Sequence, residues 1–187
     1  MQQHLDSVGL HALFESGYRN LKKNTDAINE LNVFPVPDGD TGTNMVRTFG
    51  GGLRSVQPEQ ENVGAYMAQL SQAVLLSARG NSGVIFSQFV HGLSRGFAQR
   101  ERVTFADFAH AFDCAREDAY RAILTPTEGT ILTVARVIAE DAVRQAEKEP
   151  DNYDALFNVI LQSGEAILNR TPEMLPVLKQ AGVVDAG

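Results

Sequence analysis

The chain has 187 residues, 43% of them hydrophobic, and 16 Lys+Arg against 23 Asp+Glu give a formal net charge of −7. A chain this long buries roughly 70% of the surface its unfolded form exposes, so one compact domain needs no disulfide or structural metal. The acidic balance argues against nucleic acid or an anionic membrane as main partner, since both are held through Lys and Arg, and no apolar run approaches the ~20 residues that span a bilayer.

Helical spacing begins at once, with Leu5, Val8, Leu13, Tyr18, Leu21 and Ile28, while alternating strand-like runs are nearly absent. Further helices are predicted over Thr41 to Arg54, Val63 to Ala78, Ser82 to Gln99, Thr104 to Leu124, Gly129 to Lys148 and Tyr153 to Asn169, followed by a short one after Thr171. Thr104 and Asp107 have the spacing of a capping box, and Thr171 before Pro172 reads as an N-cap ahead of a first-turn proline. The stretches Gly50–Gly52, Gln57–Asn62 and Pro150–Asn152 read as short connections. The expected fold is all-α, a helical bundle or closed helical barrel. A single cysteine, Cys114, cannot form an internal disulfide, and no charged segment followed by an apolar one opens the chain; both fit a reducing cytoplasm.

Three connections differ from ordinary helix turns: NVFPVPDGDTGTN from Asn32 to Asn44, RGNSG from Arg79 to Gly83, and TPTEGT from Thr125 to Thr130. Each sets Gly and small polar residues at a helix start, where unpaired N–H groups and the dipole favour anions. In the first, Pro35 and Pro37 forbid helix and bias the chain to extended geometry, so Asp38 and Asp40 should point the same way. Two such carboxylates repel unless a cation sits between them, and Mg²⁺ takes one or two carboxylates plus substrate phosphates. The plainer alternative makes Asp38-Gly39 a turn and Asp40 a helix cap. Two other motifs fail on counting: an EF-hand would need Gly and Glu where Thr43 and Phe49 stand, and a haloacid-type phosphatase would need a buried strand before the pair and alternating β and α units after it.

Ser82 could donate to phosphate, and Gly80 and Gly83 allow close approach, although an Asn-Ser cap explains the same residues. Thr127-Glu128-Gly129-Thr130 is weaker and counts only beside the others.

Together, NVFPVPDGDTGTNM, ARGNSGVI, PTEGTILTV and TPEMLPVLKQAGVVDAG, in that order from Asn32 to Gly187, resemble the nucleotide-binding domain of bacterial fatty acid kinase, itself similar to the ATP-binding subunit of dihydroxyacetone kinases. The resemblance implies an antiparallel barrel of about eight helices holding Mg–ATP at one end, and an ATP-binding kinase domain over residues 1–187 that is part of a longer protein. It implies transfer of phosphate to the carboxyl group of a fatty acid presented by a fatty-acid-binding carrier protein, giving an acyl phosphate, and a homodimer of the full-length protein. The alternatives are a dihydroxyacetone-type small-molecule kinase subunit and a non-catalytic Mg–ATP-binding regulatory domain.

By the same resemblance Asp38 and Asp40 are magnesium ligands, with Asn32 nearest to a third aspartate of the dihydroxyacetone branch. Thr41 stands where that branch has histidine. Thr43 and Asn44 match the polar helix start near the phosphates, Asn81, Ser82 and Gly83 the phosphate-cradling loop, and Thr130 a nucleotide contact. Arg79 could stabilise transferred charge or form a structural ion pair.

His4, His91 and His110 read as solvated or packing residues. The pairs His110–Cys114 and His11–Glu15 are each two ligands short of a tetrahedral zinc site, and Cys114 among Phe112, Ala115 and Ala119 reads as a buried small hydrophobe. The charge run Arg144 to Glu149 reads as a solvated helix end.

Overall fold

A computed structural model describes residues 4–58, 62–149 and 152–187. Residues 59–61 and 150–151, which belong to two of the expected connections, lie outside the described residues. Ten helices are present among the described residues: α1 Ser7–Lys23, α2 Thr25–Glu30, α3 Thr41–Ser55, α4 Val63–Leu76, α5 Gly80–Gly96, α6 Phe105–Arg121, α7 Ile131–Lys148, α8 Tyr153–Leu168, α9 Thr171–Met174 and α10 Pro176–Ala181. The protein is all-α, as its periodicity requires. The only extended pairing among these residues is one bridge between Leu5 and Val103, which ties the approach to α1 to the approach to α6.

From α3 to α8 each helix packs on the next, and α1 and α2 lie against α3. Short connections make such neighbours antiparallel. Accordingly α3, α5 and α7 start at the end of the row where α6 finishes. The apolar faces meet in one cluster that includes Leu10, Phe49, Leu53, Met67, Leu70, Val90, Phe97, Phe105, Phe108 and Leu156. Burying each such side chain contributes about 1.5–3 kcal/mol. Between α5 and α6 the contact is backbone to backbone: a Cβ on Gly92 would lie 2.4 Å from the Ala115 Cα, and one on Gly96 would lie 2.4 Å from the Ala111 Cα.

Several expected boundaries move for identifiable reasons. The first periodic run is broken at Asn24 into α1 and α2. Gly50–Gly52 is no connection but the last part of α3; the absent side chains make room for the Tyr18 ring, for Ser77 and for Val74. Helix α5 starts two residues earlier than expected, at Gly80, so Asn81, Ser82 and Gly83 form its first turn. Thr171 is not an N-cap: Arg170 holds that position, and the Thr171 hydroxyl donates to the Leu168 carbonyl at 2.7 Å. The Thr104–Asp107 capping box is present as expected.

Candidate functional site

The starts of α3, α5 and α7 surround a cleft of about 500 Å³. Its walls are the loop before α3, the first turn of α5, the exit from α6 with Thr125 and Thr127, the start of α7, and the segment at Asp185 and Gly187. Asn32 braces the loop from inside: its amide Nδ2 donates to the Val36 carbonyl at 3.0 Å, and its Oδ1 accepts the Asp40 N–H at 3.1 Å. Gly39 makes the turn with φ +66, a conformation that favours glycine.

Eight of the residues singled out in the sequence line this cleft: Asn32, Asp38, Asp40, Thr41, Asn44, Asn81, Ser82 and Thr130. Those at the starts of α3 and α5 share a further property. Among the described residues the side chains of Asp38, Asp40, Thr41, Asn44, Asn81 and Ser82 have no hydrogen-bond or ion-pair partner, although Thr41 and Asn44 are each only 7% exposed. Asp40 occupies the N-cap position of α3 with φ −122 and ψ 3, yet makes no capping bond. The plainer reading therefore holds for the Asp38-Gly39 turn and fails for the cap. Gly80 closes the floor at φ +61, where a Cβ would lie 2.2 Å from the Asn44 amide nitrogen.

Three expected contacts lie elsewhere. Thr43 faces α2, where its N–H and hydroxyl are held by the Asn29 side chain at 3.1 and 3.0 Å. Gly83 packs on Thr48, whose Oγ1 a Cβ there would meet at 2.3 Å. Arg79 turns its exposed guanidinium back to the Ala78 carbonyl at 2.7 Å and makes no ion pair among the described residues. Asn32 does line the cleft, and its Oδ1 gives one of its two lone pairs to the Asp40 N–H. Among the described residues no three His, Cys, Asp or Glu side chains gather into a metal-holding group.

The α7 wall is built differently. Gly129 N–H donates to the buried Thr133 Oγ1 at 2.8 Å, and that hydroxyl donates to Glu128 Oε2 at 2.6 Å. Tyr120 and Arg136 complete the Glu128 carboxylate at 2.8 and 3.1 Å. Burial would raise the Glu128 carboxyl, but these donors hold it below the ordinary glutamate value. Thr130 donates to the Thr127 carbonyl at 2.8 Å and caps α7.

Asp185 also lines this wall and was not singled out in the sequence. It is 8% exposed; its Oδ2 accepts the Gly187 N–H at 3.0 Å, and its own N–H donates to the Thr171 hydroxyl at 3.0 Å. Burial pushes its carboxyl up to about 6 against the pull of backbone N–H groups from Gly187 and Ile131. The DAG triplet in an apolar stretch is the only signal the sequence offers. With Asp38 and Asp40 it supplies all the charged side chains of the cleft among the described residues; no Lys, Arg or His lines it.

The remaining candidates are structural. His91 Nδ1 meets Asp118 at 2.8 Å, where Arg95 and Arg121 also converge, and His11 meets the Tyr66 hydroxyl rather than Glu15. Cys114 is buried and free, 3.6 Å from His110, and burial raises its thiol further from the reactive thiolate.

Comparison with known proteins places this architecture. The profile of the DAK2 domain matches residues 35–187. Protein YloV of Bacillus subtilis is 46% identical over 184 residues, which cover 98% of this chain and 33% of that protein. Uncharacterized proteins of Staphylococcus saprophyticus and Staphylococcus epidermidis are 45% and 42% identical over 172 residues, covering 91% of this chain and 31% of each. The chain thus spans about a third of the length of these curated relatives. None of the described helices is long and apolar enough to cross a membrane.

Proposed function

The chain belongs to the DAK2 domain family, whose members are kinase-related and nucleotide-binding, and from that premise we propose that the cleft binds ATP as its magnesium complex for phosphoryl transfer to the carboxyl group of a fatty acid. The acceptor is presented by a separate fatty-acid-binding carrier protein, and the product is an acyl phosphate. One observation carries the nucleotide part: Thr41 and Asn44, buried at the start of α3, and Asp38, Asp40, Asn81 and Ser82 around them present side chains to one cleft that bond to nothing among the described residues. Fold stability does not require six free polar groups around one opening. A ligand does.

The charge of the lining supports the metal. A polyphosphate would be repelled by three aspartates with no basic residue among the described lining. Asp38 and Asp40 supply two carboxylates, which suits an ion that completes its shell with water and phosphate oxygens and does not suit a protein-enclosed site. When bound, Mg²⁺ would supply the charge compensation that phosphoryl transfer needs. The protein's own groups do the rest. Backbone N–H groups at the starts of α3 and α5 that no N-cap side chain takes up face the phosphates. Asn44, Asn81 and Ser82 donate to phosphate oxygens, and Ile85, Ile123, Ile131 and Leu132 offer the apolar slot that a purine requires. No general base is needed, because a fatty acid arrives ionised at neutral pH.

Calorimetric titration with ATP, with and without Mg²⁺, tests the first part; binding that does not depend on the divalent ion would overturn it. Following acyl phosphate formation from ATP and a fatty-acid-loaded carrier tests the second, with the full-length relative run in parallel. If neither forms acyl phosphate, the fatty-acid assignment falls while nucleotide binding stands.

A further inference from the structure

The charges of this chain are unevenly placed. From Thr41 to Gly96, a stretch that takes in α3, α4 and α5, the described residues hold no Asp, Glu or Lys but four arginines, Arg47, Arg54, Arg79 and Arg95. Glu59 and Glu61, in the connection between α3 and α4, lie outside the described residues, and every other acid of a chain with net charge −7 stands before Thr41 or after Gly96. The arginines also differ in use. From Arg95 to Arg170 seven are ion-paired with Asp or Glu, whereas Arg47, Arg54 and Arg79 are exposed and make no ion pair among the described residues. The Arg54 guanidinium donates only to the Tyr18 hydroxyl, at 3.4 Å, and that of Arg79 only to the Ala78 carbonyl.

These three lie along one strip of surface. Arg47, Gly51 and Arg54 follow one face of α3 at helical spacing. Gly51 sits against the end of α4, where a Cβ would lie 2.5 Å from Ser77 Oγ, and the Arg79 N–H donates at 3.1 Å to Thr48, the neighbour of Arg47 in the chain. The same junction exposes apolar side chains: Leu75 and Leu76 at the end of α4 are 44% and 75% exposed, and Val84 near the start of α5 is 44% exposed. A merely solvated face of so acidic a chain would carry both signs of charge. Arginine among apolar side chains, without Lys, Asp or Glu, is instead the composition of a protein–protein interface. Guanidiniums without acids of their own attract carboxylates, which their planar forks bond in pairs. A bilayer is the weaker match, because the net charge of −7 repels anionic lipid. A second copy would offer its acidic side head to tail, which builds open chains rather than a closed dimer.

We propose that the strip formed by Arg47, Arg54 and Arg79 with Leu75, Leu76 and Val84 is the docking face for the acceptor-presenting carrier, and that the carrier meets it with a surface that is acidic around an apolar centre. The inference rests on the function proposed above and deepens it by naming the chemistry of the partner's contact surface. Arg79 adjoins Gly80, Asn81 and Ser82 of the cleft wall, so a protein seated on the strip reaches the end of the cleft where its acyl carboxylate is needed.

The fatty-acid-loaded carrier is the probe, and its affinity for this chain is read by calorimetry at two salt concentrations. The parent chain is expected to bind it, more weakly at the higher salt. Arg47→Glu/Arg54→Glu is expected to weaken the carrier at least about tenfold, and Arg47→Gln/Arg54→Gln and Leu76→Ser about threefold each. Mg–ATP affinity and melting temperature stay at the parent's values, which separates docking from loss of the fold. Carrier affinity unchanged in all three variants would overturn the docking face and leave the proposed function standing. A parent chain that binds Mg–ATP but no carrier would overturn the docking face and the fatty-acid reading together. Binding to phosphatidylglycerol vesicles, or self-association in sedimentation, that the variants abolish while holding the carrier as the parent does would give the strip to a membrane or a second copy and overturn the proposal as well.

Discussion

The two walls of the cleft satisfy their polar groups in opposite ways. At the starts of α3 and α5 the N-cap residues Asp40 and Arg79 make no capping bond, and the side chains of Thr41, Asn44, Asn81 and Ser82 bond to nothing among the described residues. At the start of α7, every hydroxyl of the Thr130–Thr133 turn is used, and Glu128 gathers Tyr120, Thr133 and Arg136. Helices α1, α4, α6 and α8 are capped by their own Asp6, Asn62, Thr104 and Asn152. A start without an N-cap bond forgoes about 1 kcal/mol, of which α3 recovers a part where Asn29 takes the Thr43 N–H. Two such starts facing one cleft mark the wall kept free for a ligand, and the self-bonded wall is its rigid counterpart.

The contrast breaks first at the carboxylates. Removing both, in Asp38→Ala/Asp40→Ala, is expected to lower Mg–ATP affinity at least ~1000-fold, about 4 kcal/mol, with the melting temperature unchanged, since neither side chain bonds to the protein. Calorimetry and thermal melting check the two halves separately, and a stability loss would show that the wall is not free.

Asp185 probes the other side. Its folded pKa is raised to about 6 from 3.8, so between about pH 4 and 6 the folded chain holds a proton that the unfolded chain has lost. Stability through this group therefore falls as pH rises across that window. Relative to the parent, Asp185→Asn should gain up to about 3 kcal/mol at pH 7 and nearly nothing at pH 4, read from denaturant melts at both values.

Thr133→Val leaves the Gly129 N–H and the Glu128 carboxylate each short of a partner. Unfolding free energy should drop by about 2 kcal/mol, whereas removing the unbonded Thr41 hydroxyl from the α3 wall should leave it unchanged. Last, Asn44→Ala should weaken Mg–ATP about tenfold, or ~1.4 kcal/mol, at unchanged stability; an equal loss of stability would place Asn44 with the self-bonded groups.

The free wall is legible in the sequence because its chemistry is local: prolines, Gly-Asp pairs and small polar residues lie within a few positions of a helix start. Which of them face inward is set by helical phase. At about 100° per residue, Thr41 and Asn44 share a face and Thr43 points away, as Gly83 does from Asn81 and Ser82. That signal is present in the spacing and separates the cleft-lining residues from those turned away from it. The bonded wall is hidden because its pairs join different elements, Tyr120 of α6 to Glu128 and Asp185 to Thr171, and helix periodicity carries no information on which elements meet. Gly50–Gly52 misleads for a similar reason, since glycine written as a turn signal serves there to admit Tyr18 and Val74.

The glycine seam between α5 and α6 gives the site its mechanical tolerance. Gly92 and Gly96 press on the Ala115 and Ala111 backbone, while the same helix carries Gly80, Asn81, Ser82 and Ile85 into the cleft some three turns away. A rigid helix transmits a sideways displacement along its length, so a single methyl group at the seam would lift the cleft-lining first turn of α5 by a fraction of an ångström. Since misplacement of about 1 Å can cost ~100-fold in rate, the calibration of this cleft resides as much in two absent side chains at the far end of α5 as in the residues that line it.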